Sequence, residues 1–143
     1  RAKVGVYQPV GDAKDFSGST HLAGEVDLGL PLLSGSYLSL GYSKGSDSGR
    51  DLRVIPITFS KVFSPPNPAQ GLTGNVYFGL GAGAYLLRVS GPGVSESKTV
   101  PGGFGVVGYQ FPNPYFVEAK YRVTGSVQGV DANGLTLMVG RNF

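Results

Sequence analysis

The chain has 143 residues, with 12 Lys or Arg and 9 Asp or Glu, and a formal net charge of +3. This length fits one domain, residues 1–143, and the small, scattered charge gives no indication of a nucleic-acid partner. The absence of Cys excludes disulfides, a thiol nucleophile and a Cys-ligated zinc site. The 24 glycines argue against long helices, because Gly costs about 1 kcal/mol at an interior helical position.

Apolar and polar residues alternate along most of the chain, and clusters of Gly, Pro, Ser, Asn and Asp interrupt the alternation. A side-chain period of two is that of a β-strand, whose successive residues point to opposite faces. The pattern predicts about eight strands. In chain order they cover residues 2–8, 20–32, 37–44, 52–63, 75–87, 102–111, 115–123 and 134–143.

The seventh strand, "YFVEAKYRV", shows both faces clearly. Glu118, Lys120 and Arg122 occupy every second position, and apolar residues such as Val117 and Ala119 lie between them. The fourth strand contains Pro56, which cannot donate a ladder hydrogen bond and therefore predicts a bulge or a gap. Long polar loops are predicted after strands one, three, five and seven, with mostly shorter connections at the other end. The predicted fold is an all-β, antiparallel, up-and-down barrel.

Two kinds of barrel fit this alternation. A soluble, lipocalin-like barrel points its apolar face inward to a ligand, whereas a transmembrane barrel points that face at lipid. Charged residues make up only 15% of the chain, against about 25% in typical globular domains. The polar face consists mainly of small residues that suit a narrow interior. We therefore predict a transmembrane barrel, and keep the soluble barrel as the alternative.

The membrane interpretation assigns a role to each face. Opposite charges on the polar face are expected to pair inside the lumen, because an unpaired buried charge is costly. The predicted lumenal ion-pair network is Glu25, Asp27, Glu118, Lys120 and Arg122, with Lys3 and Arg53 as further candidates. The predicted lipid-facing residues are Leu22, Val26, Leu28, Leu30, Leu38, Leu40, Val76, Phe78, Leu80, Val117, Ala119, Leu135, Leu137 and Val139. The predicted interfacial aromatic girdle is Tyr42, Phe63, Tyr85, Phe111, Tyr115, Tyr121 and Phe143.

The final stretch, "GLTLMVGRNF", resembles the closing strand of bacterial outer-membrane β-barrel proteins. Leu135, Leu137, Val139 and the terminal Phe143 match that pattern, whereas Arg141 departs from its usual apolar or aromatic residue. "GNVYFGLGAGAYLL" and "YFVEAKYRV" are similar to strands of small OmpA/OmpX-like barrels. The resemblance implies a bacterial outer-membrane address, a signal peptide already removed, and Phe143 as a signal for the barrel-assembly machinery.

The sequence offers little for catalysis or cofactor binding. "GFGVVG" is a G-x-G-x-x-G stretch, but a dinucleotide site requires a helix after it, and Pro112 and Pro114 forbid one. His21 is the only histidine, so no multi-His metal site is expected. A lipid A-modifying activity, as in some small outer-membrane barrels, would require His21 with a Ser and an acid such as Glu25. We expect no cofactor and no enzyme activity.

The expected function is therefore structural, adhesive or self-associating, with membrane lipid as the main partner and a closed lumen rather than a wide pore. A homo-oligomer is a further expectation. Two alternatives stay open: a soluble or periplasmic barrel that binds an apolar ligand, and a subunit of a higher-order array whose apolar wall packs against its neighbours.

Overall fold

A computed structural model describes residues 1–18, 20–66, 73–127 and 129–143. The predicted turn "SPPNPAQGLTG" lies partly outside these residues. The elements in chain order are β1 (Ala2–Pro9), α1 (Asp12–Ser17), β2 (His21–Gly29), β3 (Ser36–Asp47), β4 (Arg50–Phe63), β5 (Asn75–Gly91), β6 (Val94–Gln110), β7 (Tyr115–Thr124), β8 (Ser126–Val127), β9 (Val130–Asp131) and β10 (Gly134–Arg141).

Eight of these strands close into one antiparallel barrel in the order β1-β10-β7-β6-β5-β4-β3-β2. β1 completes the circle, because it pairs with β10 on one side and with β2 on the other. Val4, for example, is aligned with Val139 of β10 and with Gly24 of β2. The prediction of an all-β, eight-stranded antiparallel barrel is confirmed.

Two connections differ from the prediction. β3 and β4 are joined through Ser48 and Gly49 alone, whose φ angles of 50° and 78° are both left-handed, as in the tight turns that suit a β-hairpin. β5 and β6 are likewise joined through Pro92 and Gly93. The prediction of long loops after the third and fifth strands is therefore wrong. Their Gly- and Ser-rich segments belong to extended, paired strands.

The remaining long connections carry structure of their own. α1 lies between β1 and β2, and the small hairpin β8–β9 lies between β7 and β10. These elements share one end of the barrel with the β3–β4 and β5–β6 turns, and we call it the hairpin end. The opposite end, called the turn end, carries residues 30–35 and 111–114 together with Arg1 and Phe143.

The two faces of the wall separate as the alternation predicts. Outward side chains are apolar and exposed, with Leu22 at 77% and Leu80 at 70% of full exposure, whereas Lys3, Glu25 and Glu118 are buried inside. The β3–β4 ladder has no pair at residues 41–42 and 55–56. The predicted gap at Pro56 is thus confirmed.

Inward glycines make room for the rings that fill the barrel. A Cβ atom on Gly81 would collide with the Phe104 ring, and one on Gly140 would collide with the Phe116 ring. Both pairs are directly aligned across neighbouring strands. Much of the high glycine content therefore serves a narrow interior in which each ring lies over a residue without a side chain.

Candidate functional site

A cluster of buried charges occupies the middle of the barrel, and Lys3 is at its centre. The Lys3 Nζ atom lies 2.8 Å from Glu25 Oε1, 3.0 Å from Asp27 Oδ2 and 3.0 Å from Glu118 Oε2. These side chains come from β1, β2 and β7 and are at most 6% exposed. Three carboxylates are thus held around one ammonium group, an arrangement that is tolerable in the interior only because the charges pair.

Two further cations complete the cluster. Lys120 Nζ donates to Glu25 Oε1 at 2.5 Å and lies 4.4 Å from the centre of the Phe104 ring. At the turn end, Arg1 donates to the Tyr77 hydroxyl at 2.8 Å, and its guanidinium lies 4.0 Å from the Phe116 ring centre. Arg1 is also 3.7 Å from Glu118 Oε2. Through Arg1 and Lys3 the start of the chain is thus linked to β2, β5 and β7.

Two predicted members of the network are placed differently. Arg122 is buried, but it has no carboxylate within ion-pair distance in the described part of the chain. It donates to the Ala132 carbonyl at 2.9 Å and lies 3.7 Å from the Tyr7 ring centre, so its inclusion among the ion pairs is wrong. Arg53 shares the outward face with Ile55 and contacts Asp51 at 3.9 Å. The suggestion that Arg53 lies in the lumen is also wrong.

The interior becomes apolar toward the hairpin end. Ala13 of α1, fully buried, packs over a cluster that includes Leu52, Val54, Leu87 and Val89. The cavities found near the charged cluster are small, about 10 Å³ each, which is room for about one water. The described side chains therefore fill the lumen, with charges in the middle and an apolar plug beneath α1.

His21 lies beneath α1 and does not meet the acid expected for it. Its Nε2 atom is 2.9 Å from Ser17 Oγ, and its ring packs edge-on against Tyr7 at 5.2 Å. Glu25, the acid proposed from the sequence, is held by Lys3 and Lys120 instead. Ser17 and His21 are each 1% exposed. The pair fixes α1 onto β2 and is closed to a substrate in this structure.

The predicted lipid-facing residues lie on the outward face of the barrel strands, except Leu30, which lies in the turn after β2 and is half-buried. Six predicted girdle aromatics are exposed: Tyr42, Phe63, Phe111, Tyr115, Tyr121 and Phe143. Tyr85 is only 1% exposed and belongs to the interior cluster, so its assignment to the girdle is wrong. Tyr85 is separated from Tyr77 and Gly81 by an even number of residues along β5, so it faces inward as they do.

Sequence reasoning missed several interior residues. Arg1, Tyr7, Tyr77 and Phe116 all contact the buried charges, and none was assigned a role from the pattern. The alternation itself carried the signal for Tyr7, which is in phase with Lys3. The pattern gave Lys3 only as a further candidate for the ion-pair network. The predicted network has three carboxylates and two cations, and this imbalance was a signal for a third cation.

The described ranges contain no group of three or more His, Asp or Glu side chains that could hold a metal ion, and the three clustered carboxylates surround the Lys3 ammonium group instead. None of the helices described here has the length and apolar character needed to cross a bilayer. Comparisons with protein-family models, with curated proteins and with solved structures found no match to this chain. The similarity to OmpA/OmpX-like barrels therefore stays a prediction.

Proposed function

We propose that this chain is a membrane-embedded β-barrel with a closed lumen, which anchors its hairpin end at a membrane surface. The observation that carries the proposal is the distribution of polarity across the wall. Leu22, Leu28, Leu40 and Leu80 are exposed outside, while Lys3, Glu25 and Glu118 are buried inside. In water this arrangement would expose apolar side chains all around the barrel, whereas a bilayer covers that face.

The strand lengths support the same proposal. A tilted strand needs about 9–11 residues to cross a bilayer. Six of the eight barrel strands have 9 residues or more, and the other two, β1 and β10, have 8 each. β5 and β6 have 17 each, so they extend well past that requirement. We infer that the surplus length of β3–β6 projects beyond the membrane at the hairpin end. A structural or adhesive role would then belong to these projecting hairpins.

The filled interior favours this proposal over a ligand-binding soluble barrel. A lipocalin-like protein needs an apolar internal cavity, whereas the middle of this barrel holds charges and cavities of about 10 Å³. The same filling opposes a porin-like channel, because eight strands leave an interior that side chains can occupy completely. The bacterial outer membrane, reached through the barrel-assembly machinery with Phe143 as its signal, is the address that we propose.

The experiment combines two measurements on protein refolded into detergent micelles. We expect the unheated protein to migrate differently from the boiled protein on a denaturing gel, because a closed barrel resists the detergent. In planar bilayers the folded protein should give no conductance of porin size. A protein that stays monomeric and soluble after detergent removal, or that opens wide channels, would contradict the proposal. Regular assemblies that form after detergent removal without lipid would instead favour the array.

A further inference from the structure

A long apolar groove runs across the outer wall. It spans β10, β1, β2, β3 and the adjoining part of β4, and has a volume of about 730 Å³. Its low points are Ala2 and Gly24, the two small outward residues among those that line it, with the larger Val4 and Val26 at its sides. The groove thus arises because two neighbouring strands each place a small residue outward.

The groove is open space rather than a tightly packed seam. A Cβ atom on Gly24 would find only the Lys3 carbonyl oxygen, 3.9 Å away, within ordinary contact distance. A larger side chain at residue 24 would therefore point into the groove without disturbing the wall. Gly105 on β6 is a second outward glycine with similar freedom, its nearest contact being Leu80 at 3.8 Å, and it does not line the groove.

The strand register gives the groove a direction. Arg141 and Ala2 are aligned near the turn end, and Gly24 is aligned with Tyr42 farther along the strands toward the hairpin end. Four inter-strand spacings of about 4.8 Å separate β10 from β4, which gives a length of roughly 20 Å. The groove therefore rises obliquely from the turn end toward the middle of the wall, as an acyl chain does when it descends from a headgroup into a bilayer.

A cation stands at the turn-end mouth of the groove. The Arg141 guanidinium lies 5.8 Å from the Tyr115 ring centre and 5.4 Å from the Phe143 ring centre. In the described part of the chain no carboxylate lies within ion-pair distance of it. A guanidinium group can form paired hydrogen bonds to a phosphate. A second outer groove of about 640 Å³ is lined by Val6, Val107 and Leu137 among others, and the described part of its lining contains no outward cation.

We propose that the first groove binds one phospholipid, with an acyl chain over Ala2 and Gly24 and an anionic phosphate headgroup against Arg141. This proposal rests on the proposed membrane location, and it places the lipid in the leaflet at the turn end. The charge at the mouth and the apolar length behind it match the two parts of such a lipid. The second groove offers no cation to an anionic headgroup in its described lining, and we do not expect it to retain a phospholipid.

The test measures binding of dioleoylphosphatidylglycerol to delipidated, refolded protein in micelles, by native mass spectrometry. Dioleoylglycerol, which lacks the phosphate, and glycerol phosphate, which lacks the chains, are the comparison probes. We expect one phosphatidylglycerol to be retained per barrel, dioleoylglycerol to bind less well, and glycerol phosphate not to bind. Tight binding of glycerol phosphate alone would identify a free-phosphate site and overturn the proposal.

Four variants localise the effect. Gly24→Leu should weaken phosphatidylglycerol binding by at least about tenfold, because the new side chain occupies the groove. Arg141→Gln should reduce the preference for phosphatidylglycerol over dioleoylglycerol by about fivefold. Gly105→Leu and Arg88→Gln, which change an outward glycine and an outward arginine elsewhere, should leave binding unchanged.

Folding of each variant is checked by heat-modifiable gel mobility, which keeps the two proposals separable. If the unaltered protein shows no difference in mobility between heated and unheated samples, the proposal of a membrane barrel is itself contradicted. If the folded Gly24→Leu variant binds phosphatidylglycerol as the unaltered protein does, the lipid site is overturned. The site is overturned equally if this variant changes the fraction of dimer and not the lipid binding, because a second copy would then cover the groove.

Discussion

Lys3 is the residue on which the charged interior depends most. It contacts three carboxylates within 3.0 Å, whereas the other lysine of the cluster, Lys120, forms an ion pair with Glu25 alone among the described residues. Burying these groups costs desolvation free energy that only close pairing offsets. The cluster therefore favours one closed arrangement of β1, β2 and β7, because opening the barrel at β1 would separate the ammonium group from its partners.

We predict that Lys3→Met lowers the free energy of unfolding by about 3–5 kcal/mol, since it leaves buried carboxylates without their shared cation. The measurement is urea unfolding of the refolded protein in lipid vesicles. Lys44→Met is the control, because Lys44 pairs with Asp51 at 3.7 Å on the exposed surface and should change stability by at most about 1 kcal/mol. Equal losses in the two variants would contradict a special role for the buried cluster.

Gly81 tests the packing of rings over glycines. Gly81→Ala should destabilise the barrel by about 1–3 kcal/mol, because the added methyl group meets the Phe104 ring and lies 2.8 Å from the Phe59 carbonyl oxygen. Gly105→Ala, whose methyl group would point outward, should change stability far less. The same urea titration compares them. A Gly81→Ala protein as stable as Gly105→Ala would show that the interior has room to adapt.

At the scale of elements, α1 closes the hairpin end through a small contact surface. Only Ala13 and Ser17 of this six-residue helix are buried. Ala13 packs on the interior apolar cluster, and Ser17 contacts His21. No described side chain caps its first turn, and Gly11 and Gly18 flank the helix with φ angles of 62° and 83°. Such a helix depends on docking rather than on its own propensity.

Ala13→Asp should release α1 while the barrel stays closed. A carboxylate at this buried position would lose its hydration without gaining a partner among the described apolar neighbours. We expect trypsin cleavage after Lys14 to accelerate at least about tenfold, with heat-modifiable mobility retained. Asp12→Asn, an exposed change in the same helix, serves as the control. An unchanged cleavage rate at Lys14 would mean that Ala13 does not hold the helix.

The strands were more predictable than their connections, for a physical reason. Alternation placed Leu28, Phe78 and Leu137 on the outward face correctly, because the two faces meet different surroundings through most of the wall. Near the hairpin end this contrast fades: Leu87 and Val89 face inward and are as apolar as the wall. The sequence there is rich in Gly and Ser both in the strands and in the connections between them. The pattern therefore could not show that the β3–β4 connection consists of Ser48 and Gly49 alone.

The charged cluster was predictable in composition but not in geometry. Glu25, Asp27, Glu118 and Lys120 were assigned to the interior because they share the polar face of their strands. Which of them touch depends on the stagger between strands around the barrel, and a single strand's pattern carries no information about that stagger. For this reason only the structure of the whole barrel shows that Lys3 is at the centre of the cluster and that Arg122 stacks on Tyr7.

At the scale of the whole molecule, the middle of the barrel has the polarity of a soluble protein reversed. It buries the charged side chains of Lys3, Glu25, Asp27, Glu118, Lys120 and Arg122, while exposed apolar residues surround its outside. The absence of Cys from the chain allows single cysteines to report on any position of that wall. The outward residues Leu40, Phe78 and Leu137 sample three separate parts of it, and Ser48 samples the tip of the β3–β4 hairpin.

The most direct measurement labels each of four single-cysteine variants, L40C, F78C, L137C and S48C, with a fluorophore after refolding into lipid vesicles. Quenching by nitroxide groups on lipid chains is then compared with quenching by aqueous iodide. We predict that labels at 40, 78 and 137 are quenched by the lipid nitroxide and shielded from iodide, with the reverse at 48. Iodide quenching at all four positions would contradict a membrane-embedded wall.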